Sequence, residues 1–259
     1  MNPFSILKKT FHKFGYNVIP LENDAPINWK DKKRRSFQNP TSCQISDLET
    51  IYNHFGPECP KTFIDVGAFD GFTYSNTWAL AVNGWEGIMV EPDPESANLC
   101  RENLVPYENV QIIEAAVTTE KGPLKLFRGQ ELGTLSTQME SEYKSKGWSS
   151  ANMKGETVFV ECLTLNDVMR NSGFSQFGVL SVDVEGEEFS VWKSLDISMF
   201  RPRIMIWELQ EFSDGGSSFI EKWNVVRNDI LSSGYSVIYR DKINTVFIDT
   251  LAFPNHKCY

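Results

Sequence analysis

The sequence FIDVGAFDG at residues 63–71 is the most informative about the fold, because an apolar strand leads directly into a turn that contains two glycines. Gly67 and Gly71 would let the backbone bend sharply and approach a ligand closely, and the helix expected next would present free N–H groups. The spacing is not the G-x-G-x-x-G of dinucleotide-binding turns, and the negative charge of Asp70 would repel a pyrophosphate. The turn therefore favours a ligand with a ribose and an ammonium-bearing tail, with Asp65 or Asp70 attracting the positive charge.

Outward from this turn, apolar strand-like runs alternate with helical patterns from residue 61 onward. Several runs are continuous, which is typical of strands buried on both faces of a parallel sheet. The predicted strands are Thr62–Val66, Gly87–Glu91, Val110–Val117, Thr157–Leu163, Val179–Asp183, Arg203–Glu208, Tyr235–Arg240 and Thr245–Asp249. Since only a few residues separate the last two strands, they should form an antiparallel hairpin at one edge. The pattern predicts an open α/β sheet with right-handed crossovers.

The ends of the next two strands indicate a nucleoside site, because ligands of open α/β sheets bind beyond the carboxyl ends of the strands. Glu91 and Pro92 end the second strand, and a carboxylate about 20 residues after the glycine turn can accept hydrogen bonds from ribose hydroxyls. Near the end of the third strand, Glu114 precedes two alanines, Ala115 and Ala116. The alanines leave space for a flat ring such as adenine, and Glu114 could accept a hydrogen bond from its amine.

The stretch LSVDVEGEEF at residues 180–189 places two carboxylates, Asp183 and Glu185, around the end of a buried strand. Such carboxylates carry a desolvation penalty unless they bind something. One interpretation is a general base that takes the proton of an acceptor hydroxyl. The other is that Asp183 and Glu208, at neighbouring strand ends, share a divalent cation that lowers the pKa of the acceptor.

The composition places the chain among globular proteins, since its 259 residues are 41% hydrophobic and 23% charged. No apolar run approaches the ~18 residues needed to cross a bilayer, and the N-terminus lacks the pattern of a secretory signal. The five cysteines are never spaced C-x-x-C, which indicates reduced thiols rather than a disulfide framework or a zinc site. We therefore expect a cytoplasmic protein.

The net charge of −9 is unevenly distributed. Residues 1–40 contain eight Lys or Arg and three acidic residues, a formal +5, which leaves −14 for the rest of the chain. An acidic body argues against nonspecific binding of nucleic acid, which needs a basic face. We interpret residues 1–50 as a basic leader, which could make a weak peripheral contact with an anionic membrane surface.

Taken together, FIDVGAFDG, VEPDP, IEAAVT and LSVDVEGEEFSVWKSL resemble the FkbM family of S-adenosylmethionine-dependent methyltransferases. The resemblance covers roughly residues 60–250, and the DVEG-type segment makes it specific. It implies a seven-stranded, Rossmann-like class I methyltransferase sheet whose last strand is antiparallel. It also implies O-methylation of a hydroxyl on a sugar, glycan, lipid or secondary metabolite, with S-adenosyl-L-methionine as cofactor.

The resemblance implies that Asp65, Gly67 and Gly71 lie in the cofactor turn and that Glu91 holds the ribose. The other cofactor-binding candidates and the metal candidates rest on the residues alone. The predicted cofactor-binding residues are Asp65, Gly67, Ala68, Gly71, Glu91, Pro92, Glu114 and Ala115. Asp183 and Glu185 would face the reaction centre as catalytic residues, with Asp183 and Glu208 as candidate metal ligands. The resemblance departs at Phe69, where the family commonly has a small or polar residue, so we expect a cofactor loop of different shape.

One segment, Gly129–Glu156, interrupts the alternation within a methyltransferase domain expected over residues 51–259. A loop of this length inside a compact domain is usually functional or disordered, so it is predicted to be a lid or acceptor-binding insertion, or else a mobile loop. Two other functions stay open on the sequence. One is a nicotinamide-dependent oxidoreductase, against which the missing central glycine argues, and the other is a non-catalytic scaffold that binds the cofactor.

Overall fold

The computed structural model describes residues 43–45, 48–153, 155–210 and 219–254. Most of the predicted basic leader over residues 1–50 lies outside these ranges, so the division of the chain at residue 50 stays a prediction. Among the described residues, no helix is both long enough and apolar enough to span a bilayer.

A seven-stranded sheet forms the centre of the described structure. The strands of the described residues are β1 (Thr62–Val66), β2 (Glu86–Val90), β3 (Val110–Ile113), β4 (Ala116–Val117), β5 (Leu124–Phe127), β6 (Thr157–Val160), β7 (Cys162–Leu163), β8 (Val179–Val182), β9 (Ile204–Glu208), β10 (Tyr235–Arg240) and β11 (Asn244–Asp249). The large sheet has the order β3–β2–β1–β8–β9–β11–β10. The five strands from β3 to β9 pair in parallel, whereas β11 is antiparallel to both of its neighbours. The predicted mostly parallel, Rossmann-like sheet with an antiparallel hairpin at its edge is confirmed.

Helices connect these strands, and two of the helices begin at side-chain caps. The helices of the described residues are α1 (Leu48–Phe55), α2 (Trp78–Val82), α3 (Pro94–Leu104), α4 (Thr137–Ser145), α5 (Leu165–Asn171), α6 (Glu188–Lys193) and α7 (Ile220–Ser232), with short 3-10 turns at Gly56–Glu58 and Gln130–Leu132. Asp93 accepts hydrogen bonds from the first-turn N–H groups of α3, and Thr164 and Asp167 form a reciprocal capping box at α5. These caps satisfy N–H groups that have no partner within the helix.

Apolar side chains cover both faces of the sheet, as the continuous strand runs predict. Along β9, Met205 and Trp207 pack on one face, while Ile204 and Ile206 pack on the other. The first face is covered largely by α5, α6 and α7, and the second by α1, α2 and α3. Because successive strand residues point to opposite faces, burial on both sides requires an apolar residue at nearly every position.

Two predicted strands are each divided in the structure. Residues Val110–Val117 are predicted to form one strand. In the structure, β3 ends at Ile113, and β4 leaves the large sheet and pairs in parallel with β7. Likewise, the predicted strand Thr157–Leu163 is divided into β6 and β7. The reason is that β3 is an edge strand whose only neighbour, β2, ends at Val90, so the following backbone groups must find another partner. This break determines where Glu114 and Ala115 lie.

The segment Gly129–Glu156 folds onto the domain over the described part of its length. It is bracketed by the antiparallel pair β5–β6 and contains α4. Leu132, Met139, Tyr143 and Met153 are buried in the main core. These residues anchor the segment beside the carboxyl ends of the strands, and its role as a lid or acceptor-binding insertion stays a prediction.

Candidate active site

A cleft opens at the carboxyl ends of β1, β2 and β8. In the sheet order, the chain proceeds outward from β1 in one direction through β2 and β3, and in the other through β8 and β9. Such a reversal leaves a crevice at the ends of the strands, where open α/β folds bind their ligands. Six predicted site residues line this cleft: Gly67, Glu91, Pro92, Ala115, Asp183 and Glu185.

Two more predicted cofactor residues are buried away from the cleft. Asp65 is 4% exposed and accepts a hydrogen bond of 2.6 Å from the hydroxyl of Thr77. Burial raises the pKa of Asp65 to about 6, although the hydrogen bonds from Thr77 and Ser181 oppose this rise. Ala68 packs in the apolar layer against α1, α2 and α3. Neither Asp65 nor Ala68 lines the cleft, so neither is placed to contact a ligand bound there.

The other two predicted cofactor residues, Gly71 and Glu114, also lie outside the cleft. A Cβ atom on Gly71, whose φ is +72°, would lie 2.7 Å from the sulfur of Cys100 in α3. Glycine is therefore needed there for close packing of the turn against a helix. Glu114 is exposed and forms an ion pair of 3.0 Å with Arg101. The structure brings neither residue to the site.

Gly67 fixes the distance between the ends of β1 and β8. Its φ is +85°, and a Cβ atom there would lie 1.6 Å from the carbonyl oxygen of Asp183. The N–H of Asp183 donates to the carbonyl of Val66 at 2.9 Å. Because only glycine fits at this position, the glycine turn holds Asp183 directly beside the cleft.

Glu91 lies just beyond the end of β2 and organises the glycine turn. Its side chain is a buried carboxylate that accepts one N–H from Phe69 at 2.9 Å and one from Asp93 at 2.8 Å. Burial raises the pKa of Glu91 to about 8, against the effect of these two hydrogen bonds. A carboxylate offers about four lone-pair positions, so two remain for donors on a ligand.

Strained backbone conformations concentrate around the cleft. Among the described residues, four that are not glycine have a positive φ, and three of them line the cleft: Phe69 (50°), Gln130 (58°) and Glu185 (51°). Non-glycine residues rarely adopt this conformation, and it clusters at functional sites. At Phe69, where the chain departs from the family pattern, the hydrogen bond of its N–H to Glu91 stabilises the turn.

Three carboxylates converge at the other end of the cleft. Asp183 follows β8, Glu185 lies two residues further, and Glu208 is the last residue of the neighbouring strand β9. One carboxylate oxygen from each lies within 4.8 Å of the others. Burial, and then the charge of Asp183, raises the pKa of both Glu185 and Glu208 well above the usual range. Burial also raises the pKa of Asp183. We call these three residues the acidic cluster.

Residues outside the predicted site also bind the acidic cluster, two of them from distant parts of the chain. The hydroxyl of Tyr143, from α4, donates to Glu185, and the side-chain amide of Gln44 donates to Asp183 at 3.5 Å. Asn244 in turn donates to the amide oxygen of Gln44 at 3.0 Å. The sequence offered one signal for Tyr143, its position in the long insertion. It offered none for Gln44, which lies 139 positions from Asp183.

The two ends of the cleft therefore have different chemistry. The end at Glu91 and Ala115 offers hydrogen-bond acceptors and a small-residue surface, which suit a nucleoside. The end at Asp183 and Glu185 offers carboxylates that can accept a proton or bind a cation. Glu131 and Glu187 also line the cleft, and its lining among the described residues includes no Lys, Arg or His. A ligand with positive charge would be attracted to it.

Comparison with known sequences gives the family of the chain. The Methyltransferase FkbM domain matches residues 65–237, well over half of the chain. The chain thus belongs to the FkbM methyltransferase domain family. No curated protein sequence matches it.

Solved methyltransferase structures are similar to this chain at low identity. Methyltransferase FkbM from Methylobacillus flagellatus is 14% identical over 72% of this chain, with a TM-score of 0.44. This chain covers 43% of that one. An O-methyltransferase from Bacillus cereus, solved with S-adenosyl-L-homocysteine, is 10% identical with a TM-score of 0.47, over 95% of this chain and 89% of that chain. An O-methyltransferase of tomaymycin synthesis from Streptomyces achromogenes, solved with S-adenosyl-L-methionine, is 10% identical over 78% and 79%, with a TM-score of 0.46.

Proposed function

We propose that this protein is an S-adenosyl-L-methionine-dependent O-methyltransferase that acts on a hydroxyl of a small-molecule or glycan acceptor. The observation that carries the proposal is that one cleft contains both Glu91 and the carboxylates of Asp183 and Glu185. Glu91 would accept hydrogen bonds from the ribose hydroxyls of the cofactor. Family membership supports methyl transfer, and the carboxylates favour an acceptor that must lose a proton.

The Glu91 end of the cleft fits the nucleoside part of the cofactor. The ribose hydroxyls would donate to the two lone-pair positions of Glu91 that the backbone leaves free. The adenine ring would lie against Ala115, next to Pro92. The sulfonium and ammonium groups would be attracted by the negative charge of the cleft lining. When bound, the cofactor supplies a methyl group that is already electrophilic, so the protein has mainly to align the reacting atoms.

At the other end of the cleft, Asp183 would act on the acceptor. We assign Asp183 as the proton acceptor for the hydroxyl, because it is held at the glycine turn by the close approach of Gly67. As the proton passes to the carboxylate, the oxygen lone pair forms the new C–O bond and the C–S bond breaks, its electron pair staying on sulfur. The raised pKa of Asp183 makes it a better base than an ordinary aspartate.

The acceptor would enter beside the segment Gly129–Glu156. Residues of this segment line the same cleft as Asp183 and Glu185, among them Gln130, Glu131 and Leu135. Tyr143, from the same segment, donates to Glu185. This position supports the prediction that the segment contacts the acceptor.

The test is transfer of a labelled methyl group from S-adenosyl-L-methionine to a panel of hydroxylated acceptors and to extracts of the source organism. We expect a labelled product whose methyl group is bonded to oxygen, and its formation should be about 10²–10⁴-fold slower with the Asp183→Asn variant. A product methylated on nitrogen or carbon would contradict the O-methyltransferase assignment. Cofactor binding without transfer to any acceptor would favour the non-catalytic scaffold instead.

A further inference from the structure

The acidic cluster is unusual because part of its hydrogen-bonding capacity is unused. Oδ1 of Asp183 and Oε2 of Glu208 are buried, and among the described residues no N–H or hydroxyl group donates to either oxygen. The two carboxyl groups lie close enough to hydrogen-bond to one another. Glu208 as a whole is only 5% exposed. Buried carboxylate oxygens normally have partners, and each exception in a native fold calls for an explanation.

The cluster also lacks a positive partner within the described structure. None of the ion pairs found among the described residues includes Asp183, Glu185 or Glu208. Elsewhere, the buried Asp249 is paired with both Arg201 and Arg203. Since buried charges are ordinarily paired or bind metals, a cation from outside the fold would satisfy the cluster.

We propose that the acidic cluster binds one divalent cation between Asp183, Glu185 and Glu208, with Oδ1 of Asp183 and Oε2 of Glu208 among its ligands. Three carboxylates are the ligand set of hard ions such as Mg²⁺, Mn²⁺ and Ca²⁺. Their spacing of up to 4.8 Å agrees with oxygens on opposite sides of one ion, which lie about 4.6–5.2 Å apart for Ca²⁺.

The surrounding residues hold the three carboxylates in place. Tyr143 donates to Glu185, Gln210 donates to Glu208, and Gln44 donates to Oδ2 of Asp183. Each donor leaves another oxygen of its carboxylate available to the ion. Such outer contacts orient ligands in metal sites, and removing them weakens metal binding by about 10–100-fold.

A role for the ion in the reaction rests on the proposed function. Asp183 and Glu185 line the cleft, so an ion bound there would reach an acceptor oxygen. Binding of a hydroxyl to the ion would lower the pKa of that hydroxyl, so that it loses its proton more readily. The ion would thus favour acceptors that offer an oxygen ligand.

The test is a titration of the full chain, stripped of metal with a chelator, with Mn²⁺ while free Mn²⁺ is measured by electron paramagnetic resonance. We expect one bound Mn²⁺ per chain, displaced by Mg²⁺ or Ca²⁺. Asp183→Asn and Glu208→Gln should each weaken binding at least about tenfold, whereas Glu114→Gln, which removes a strand-end carboxylate outside the cluster, should leave it unchanged.

Because Glu208 is buried, the fold of each variant is checked by near-ultraviolet circular dichroism. If Glu208→Gln does not fold, Glu185→Gln replaces it with the same expected loss. Absence of saturable Mn²⁺ binding to the unaltered chain, or equal binding by the cluster variants and the control, would overturn the cation site.

Methyl transfer provides a separate result that distinguishes the cation site from the proposed function. Stoichiometric Mn²⁺ binding without methyl transfer to any acceptor would support the site and count against the proposed function. Methyl transfer by a chain that binds no Mn²⁺, undiminished by a chelator, would overturn the site and leave the proposed function standing.

Discussion

The two ends of the cleft both contain buried carboxylates, but these carboxylates have different surroundings. At one end, both oxygens of Glu91 accept backbone N–H groups, from Phe69 and from Asp93. Backbone N–H groups therefore satisfy both oxygens of Glu91. At the other end, in contrast, one buried oxygen of Asp183 and one of Glu208 have no N–H or hydroxyl donor among the described residues.

This difference separates residues that shape the site from residues that act in it. A buried carboxylate that holds backbone N–H groups stabilises a conformation, and a ligand uses what lone pairs remain. In the acidic cluster, burial first and then the charge of Asp183 raise the pKa values of Glu185 and Glu208, and such shifted values are usual for catalytic and metal-binding groups. We therefore expect variants at the two ends to have separable effects on binding and on turnover.

The largest expected effect is on turnover, at Asp183. Asp183→Asn keeps the shape of the side chain but removes its ability to accept a proton, so kcat should fall by about 10²–10⁴-fold. The affinity for S-adenosyl-L-homocysteine should change by less than about twofold, since the nucleoside contacts lie at the other end of the cleft. Steady-state transfer and calorimetry measure the two quantities, and equal losses in both would contradict the separation of the two ends.

The next effect is on cofactor affinity, at Glu91. Glu91→Ala removes charge-assisted hydrogen bonds to ribose worth about 1.5–3 kcal/mol, so the Kd of S-adenosyl-L-homocysteine should rise about ten- to a hundredfold. The matched control is Glu114→Ala, which removes the strand-end glutamate of the neighbouring strand, exposed and paired with Arg101. An unchanged Kd for Glu91→Ala, or equal changes in both variants, would show that Glu91 does not bind the ribose.

The pH dependence of cofactor affinity should follow the ionisation of Glu91. In the free protein its pKa is about 8, so the side chain is largely protonated at pH 6.5. Ribose hydroxyls that donate to the carboxylate favour its charged form, so binding releases a proton below pH 8. The affinity should accordingly rise about tenfold from pH 6.5 to 8.5 and then level off. Calorimetry at several pH values tests this, and a similar rise in Glu91→Gln would assign it to another group.

The smallest expected effect is at Tyr143, which reaches the acidic cluster from α4. Tyr143→Phe removes the hydroxyl that donates to Glu185 and keeps the ring that packs in the core. We expect a drop in kcat of about two- to tenfold, with no change in cofactor affinity. Tyr107→Phe, outside the cleft, is the control. A loss of cofactor affinity in Tyr143→Phe would show that α4 shapes the nucleoside end as well.

The sequence was sufficient for the sheet because local signals determine it. Apolar runs, capping residues such as Asp93 and Thr164, and the short connection between β10 and β11 each act over a few residues. The division of the predicted strand Val110–Val117 could not be read in this way. It depends on where the neighbouring strand β2 ends, which is a property of the assembled sheet.

The candidate site was predictable only at positions where a strand end leads directly into the cleft. Glu91 and Asp183 follow β2 and β8, and both line it. Glu114 looked equivalent, but the chain turns away after β3 and leaves it exposed. Gln44 and Tyr143 reach the acidic cluster from distant parts of the chain, so no spacing within the sequence marks them.

The most direct test of the central claim, that the cleft binds a sulfonium nucleoside at Glu91, is a calorimetric titration of the folded chain with S-adenosyl-L-homocysteine at pH 8. We expect a single site with micromolar affinity, which corresponds to about −8 kcal/mol. No measurable heat and no protection against thermal unfolding at millimolar nucleoside would contradict it.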